Sequence, residues 1–232
     1  MTELLLFPML SFRLVRNLSS LPLITEWLRY KMSKVKTQKP KLKMRQQLIN
    51  LILKQSFKYT QKPSFRLASG RMSNFYFNCK PTTLSSEGML LIGNLLYELI
   101  RNEKAWNVKA IGGLTLGADP IASAIAYTSW LRGKPLDAFV IRKQAKKHGT
   151  MQWIEGNIKK GDRVLIIEDV ITTGGSTIEA IKKARESGLK VKGVVVLIDR
   201  QEGGKEAIEK MGLPVKVLLT KEEIFRAYKN KS

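Results

Sequence analysis

The chain has one cysteine, one histidine and few acids. Cys79 has no partner for an internal disulfide, and a lone cysteine among apolar neighbours reads first as a small packed side chain. A reducing, cytoplasmic setting is therefore permitted and is the expectation, with organelle targeting by residues 1–43 left open. The apolar stretch LLLFPML is too short to cross a bilayer and follows no basic segment, which argues against a transmembrane helix or an ordinary secretory signal. No internal repeat is present. Only 19 Asp and Glu oppose 41 Lys and Arg, a formal charge of +22, so the surface should attract polyanions and lose that attraction with salt. On charge alone, nucleic acid, an anionic membrane and a phosphorylated substrate all qualify.

What is present suffices for a core: 232 residues, 44% of them hydrophobic. Residues 1–43 read as a basic extension, with nine Lys and Arg against Glu3 and Glu26, and KMSKVKTQKPKLK reads as a solvated linker. A transit peptide, or an upstream start before Met32 or Met44, are the open readings of this segment. From Met44 a helical pattern begins, with Leu48, Ile49, Leu51, Ile52 and Leu53 on its apolar side. Ser69-Gly70 then marks a turn between two short extended runs, the second carrying Phe75, Tyr76 and Phe77. Successive rings must occupy both faces of a strand, so at least one points away from the core. Either another element covers it, or it stacks on a planar ligand.

Ser85 or Ser86 caps the next helix. Strands and helices then alternate: VKAIGG, a helix to Trp130, LDAFVIRK, RVLIIED, a helix from Thr177, VKGVVVLIDR, a helix near Glu202, and PVKVLL. That order predicts βαβ units, hence an α/β fold with a central parallel sheet flanked by helices.

The richest stretch is RVLIIEDVITTGGS, residues 163–176. A buried-strand run ends in Glu168 and Asp169, followed by Thr172, Thr173, Gly174, Gly175, Ser176 and Thr177 at a helix start. Glycines let the backbone approach a ligand, while helix N-H groups and hydroxyls favour an anion. Neither G-x-x-x-x-G-K-[ST] nor G-x-G-x-x-G occurs in this turn. A phosphate cradle beside a carboxylate pair suits a ribose phosphate, whose hydroxyls or nearby hydrated cation the acids would meet.

Three other groups are placed at the same sheet edge. Arg142, Lys143, Lys146, Lys147 and His148 form a basic run that is either a solvated face or a grip on pyrophosphate. Residues 112–117, GGLTLG, form a second Gly-rich turn, for close packing or for a second anion contact. Arg200, after Asp199, could meet a ligand carboxylate or pair with Asp199 or Glu202.

Taken together, SGRMSNFYFN, GGLTLGADPI, RKQAKKHG, VLIIEDVITTGGS and LIDRQEGG resemble, in order and spacing, the orotate phosphoribosyltransferases of the type I phosphoribosyltransferase family. The resemblance covers residues 44–232, with a small N-terminal hood from about 44–84. It implies transfer of phosphoribose from phosphoribosyl pyrophosphate to orotate, giving orotidine 5'-monophosphate and pyrophosphate in pyrimidine biosynthesis. It implies Glu168 and Asp169 at the ribose hydroxyls or at the waters of Mg²⁺, with no direct protein ligand to the metal. Val170, Ile171 and the residues from Thr172 through Thr177 would form the phosphate loop, and Arg142, Lys143, Lys146 and His148 would meet the pyrophosphate. Lys146, Glu168 and Asp169 would be catalytic. Tyr76, Phe77, Thr172 and Arg200 would bind orotate. A homodimer is implied, with loop 142–150 acting in the neighbouring site, and neither a nucleic acid nor a membrane as partner. Where some relatives carry lysines around the SGR motif, this chain has Ala68 and Met72, and the connection before it is about three residues longer than usual. The alternatives are a type I enzyme for a purine or uracil acceptor, or a non-catalytic regulator of the same fold.

Overall fold

The structure, a computed structural model, describes residues 38–66, 70, 72–144 and 153–231. By compactness the chain divides into Met1–Leu42 and Lys43–Ser232. Helix α1 spans Gln38–Gln55, so the helix starts six residues before Met44 and takes up the end of the expected linker. No acid or apolar period marks residues 38–43. They continue a helix whose hold on the body is the buried face of Leu48, Ile49, Leu51 and Ile52.

Four short strands follow: β1 (Phe57–Tyr59), β2 (Phe65–Arg66), β3 (Met72–Ser73) and β4 (Phe75–Phe77). β2 pairs with β3 and β1 with β4, both antiparallel, which makes the expected hairpin a doubled ribbon. Helix α2 (Lys80–Thr83) leads into α3 (Ser86–Asn102), where Ser85 is the cap and its Oγ accepts from the Gly88 N-H at 3.0 Å.

The main sheet contains β5 (Ala110–Leu114), β6 (Asp137–Ile141), β7 (Ile154–Gly156), β8 (Arg163–Ile171), β9 (Lys190–Asp199) and β10 (Val215–Thr220), in the order β10-β9-β8-β5-β6-β7. All neighbours are parallel except β6 and β7. The predicted parallel α/β sheet is thus present, with an antiparallel edge strand where only a loop was expected. β7 is three residues long, too short to show a hydrophobic period.

Helix α4 (Asp119–Leu131) joins β5 to β6, α5 (Gly175–Glu186) joins β8 to β9, and α6 (Gly204–Glu209) joins β9 to β10. Helix α7 (Lys221–Lys229) closes the fold. Alternate residues of β8 enter two cores. Leu165 and Ile167 pack on the side of α1, α3 and α4, while Val164 and Ile166 pack on the side of α5 and α6. Gly93 lets α3 and α4 cross closely, since a Cβ there would lie 2.6 Å from Thr128 Oγ1. Among the described residues, no helix is long and apolar enough to cross a membrane.

Candidate functional site

β8 does not stop at the carboxylates. It continues to Ile171, pairing Val170 with Ile198 and Ile171 with Asp199, so Glu168 and Asp169 lie within a strand. The Val170 and Ile171 side chains pack into the two cores, and these residues fix the turn rather than lend it side-chain groups. The Ile171 carbonyl accepts from the Arg200 N-H at 3.0 Å, which ties the end of β9 to the end of β8.

After Ile171 the chain turns at Gly174, whose φ of +86° is left-handed, and a Cβ there would sit 3.1 Å from the Gly204 carbonyl oxygen. Gly174 is the N-cap of α5 and no side chain caps that end, so the first N-H groups of α5 keep no side-chain partner and are of the kind that suit an anion. Open space surrounds the Cβ position of Gly175, which leaves room for a ligand over the turn.

The hydroxyls divide differently from expectation. Thr177 is buried, and its Oγ1 donates to Glu168 Oε2 at 2.7 Å. Ser176 Oγ donates to the same oxygen at 2.9 Å. Both were expected to face an anion, yet a buried carboxylate holds them. Thr173 is exposed and Thr172 half-buried, so these two remain for a ligand.

Burial drives the Glu168 carboxyl upward, and the Asp169 charge adds to this, so its pKa rises from 4.5 to about 7 against the two hydroxyl hydrogen bonds. The folded state therefore holds this proton more tightly than the unfolded chain. Its contribution to stability is full below pH 4.5 and is lost as the pH climbs to about 7, a change of about 3 kcal/mol. Glu168→Gln, which keeps an acceptor for the two hydroxyls without titrating, is expected to gain stability relative to wild type between pH 5 and pH 8. Urea unfolding at several pH values checks this, and parallel stability curves for the two proteins would refute it.

Asp169 faces the second turn. A Cβ on Gly117 would approach its Oδ1 to 2.6 Å, so only glycine lets that turn lie against the carboxylate. Gly112 and Gly113, by contrast, belong to β5, and a Cβ on Gly112 would come within 2.0 Å of the Phe139 carbonyl oxygen. Of the two readings, packing holds for these glycines and site geometry for Gly117. A cleft of about 360 Å³ lies between the turns, lined by Thr115, Leu116 and Gly117 on one wall and Glu168, Asp169 and Ser176 on the other. Lys143 and Lys80 complete it. Lys80 escaped the sequence reading, because one lysine before a proline carries no motif. A larger cavity of about 690 Å³ lies between β7 and the end of α5, but Ile154, Ile158 and Leu189 line it and none of the predicted carboxylates does. The predicted carboxylates line the smaller cleft.

Other predicted residues are placed elsewhere. The Arg142 guanidinium rests on Glu155 Oε1 at 3.3 Å and is absent from the cleft lining. Lys146 and His148 lie outside the described residues, as do Lys147 and Ala68. Met72 is exposed on β3. Tyr76 and Phe77 project from opposite faces of β4. Tyr76 stacks on Phe65 with centroids 5.5 Å apart, whereas Phe77 packs on Phe57 at 5.2 Å. They therefore cannot flank one ring from the same side in this arrangement, and Tyr76 is the exposed candidate.

Arg200 is 5% exposed. Its Nη2 reaches Glu202 Oε1 at 3.0 Å and donates to Ser73 Oγ on β3 at 3.2 Å, so of the two expected acidic partners Glu202 is the one used. Its Nε is buried with no hydrogen-bond partner among the described residues. A buried unpaired guanidinium N-H is rare and calls for an acceptor. Arg200 thus joins the hairpin to the sheet edge and keeps a donor unused.

The family model for the phosphoribosyl transferase domain matches residues 85–220. An orotate phosphoribosyltransferase of Aquifex aeolicus is 47% identical over 180 residues, covering 78% of this chain and 97% of the relative. One from Sorangium cellulosum is 43% identical, covering 77% and 92%. The crystal structure of Mycobacterium tuberculosis orotate phosphoribosyltransferase with Fe(III) dicitrate superposes with a TM-score of 0.68 at 39% identity, covering 78% of this chain and 98% of that one. Another, of the M. tuberculosis enzyme with 5-phospho-α-D-ribosyl 1-diphosphate, gives 0.62 at 34% identity, covering 78% and 91%.

Proposed function

The chain belongs to the orotate phosphoribosyltransferases, and we propose from that premise how its own residues carry the transfer of phosphoribose to orotate in pyrimidine biosynthesis. The observation that supports the assignment of roles is one cleft with an acidic wall, an uncapped helix start and two lysines. The uncapped N-H groups of α5, with Thr172 and Thr173, hold the 5-phosphate. Asp169 and Glu168 accept from the ribose hydroxyls and place C1 of the sugar between the acidic wall and the cations. Lys143 and Lys80, joined by Lys146 and His148, take the pyrophosphate.

The bond from C1 to the pyrophosphate oxygen breaks as orotate N1 bonds to C1, and the N1 proton passes to the departing pyrophosphate or to water. Positive charge develops on the sugar and negative charge on the departing oxygen, so carboxylates on one side and ammonium groups on the other each stabilise the transition state more than the ground state. No protein nucleophile is required. The adjacent carboxylates Glu168 and Asp169 at the cleft wall fit Mg²⁺, a cation that takes oxygen ligands and keeps several waters, and would hold it through those waters. When bound, Mg²⁺ neutralises charge on the pyrophosphate. Arg200 offers its unused N-H to the orotate carboxylate, and Tyr76 lies along the ring.

Pairing with a second copy fits the outer face of α3 and α4, where Leu90, Tyr127, Trp130 and Leu131 are exposed. Leu116 is exposed at the cleft itself, a further apolar residue that a partner could cover. Purified protein is expected to consume orotate, read as a loss of its absorbance, only with phosphoribosyl pyrophosphate and Mg²⁺ both present. Turnover of hypoxanthine or uracil but not orotate would overturn the acceptor. Light scattering is expected to give twice 26.3 kDa, and a monomer would remove the trans role of the loop.

A further inference from the structure

Lysine is seldom buried, because its ammonium group is strongly hydrated. Lys183, in the last turn of α5, is nevertheless 8% exposed. Its Nζ donates to the Arg142 carbonyl at 3.1 Å and to the Lys143 carbonyl at 3.1 Å, and pairs with Glu179 Oε1 at 2.6 Å. An ammonium group has three donors, and all three are used. The same Nζ lies 4.0 Å from the centroid of the Trp153 ring, in cation-π contact.

These partners have a common topology. Arg142 and Lys143 follow β6, and Trp153 precedes β7, so one side chain grips the departing and the returning stems of the basic segment. The helix supplying it is the one whose uncapped N-terminus is assigned above to the 5-phosphate. We infer that Lys183 is a positioning residue for phosphoribosyl pyrophosphate: it fixes the Lys143 backbone relative to the helix that holds the 5-phosphate, and so sets the distance between the two ends of this one substrate. The inference rests on the placement of Lys143 at the pyrophosphate given above. A role confined to fold stability would need neither the two adjacent carbonyls nor the ring on the opposite stem.

The test is steady-state kinetics with each substrate varied in turn, on Lys183→Met, Lys183→Arg and Trp153→Leu, with Lys143→Ala measured alongside. Lys183→Met is expected to raise KM for phosphoribosyl pyrophosphate about tenfold with KM for orotate unchanged, and Lys183→Arg, which keeps charge and donors, to recover part of the loss. Trp153→Leu is expected to act in the same direction, and stands in if Lys183→Met does not fold. Equal changes in both KM values, or an unchanged KM for phosphoribosyl pyrophosphate in the folded variants, would overturn the inference. If Lys143→Ala alone raises that KM, the pyrophosphate reading stands and the clamp falls. If neither Lys143→Ala nor Lys183→Met does, both fall.

Discussion

Asp169→Asn is expected to lower kcat by about 10²–10³-fold while leaving the protein folded, the cost typical of losing one preorganised electrostatic contact to a transition state. Asparagine is nearly isosteric with aspartate. Its side-chain oxygen can still accept from the Val170 N-H, as Asp169 Oδ1 does at 2.9 Å, and Gly117 still leaves room for it. What is removed is the negative charge opposite the lysines. The same change relieves Glu168 of like-charge repulsion, so the Glu168 pKa, now about 7, should fall and any acid limb of the rate profile that it controls should move to lower pH. Comparing kcat against pH for the two proteins, together with thermal melts, measures both effects. A kcat within tenfold of wild type would show that the charge of Asp169 does not act on the transition state.

The second large effect is expected at the acceptor. Arg200→Met should raise KM for orotate about 100-fold with little change in KM for phosphoribosyl pyrophosphate, because a buried charge-assisted contact is worth about 2–5 kcal/mol to its ligand. The substitution also removes the Arg200 ion pair of Glu202, whose side chain is only 15% exposed, and breaking a buried pair is itself destabilising. Adding Glu202→Gln should restore much of the melting temperature and none of the orotate affinity. That separation distinguishes ligand binding from support of the hairpin through Ser73. Restored orotate KM in the double variant would mean that Arg200 acts only by holding the fold.

The sheet and the phosphate turn were legible in the sequence because both have local causes. Continuous apolar runs such as Val164, Leu165, Ile166 and Ile167 belong to strands buried on both faces, and consecutive glycines after acids mark a turn under close approach. The order of the carboxylates and hydroxyls was visible, but not which hydroxyls Glu168 would claim, since that depends on Thr177 being turned inward by the first turn of α5. Lys183 escaped because it reads as one more lysine on an amphipathic helix. Only the placement of Arg142, Lys143 and Trp153 around its ammonium group shows that it is enclosed. Helix α7 was missed although Thr220 and Glu223 carry a capping-box signal, with both reciprocal bonds formed in the structure.

That helix is the packing surface of the ribbon. Phe225 lies 5.0 Å from Phe75 and 5.1 Å from Tyr59, and Tyr228 lies 5.6 Å from Phe57, ring to ring. The ribbon that carries Tyr76, and whose Ser73 meets Arg200, thus has its apolar backing in a helix far along the sequence, whereas Val164 and Ile166 of the main sheet pack without it. Removing the Phe225 and Tyr228 rings is therefore expected to loosen the ribbon before the sheet, since each part has its own packing surface.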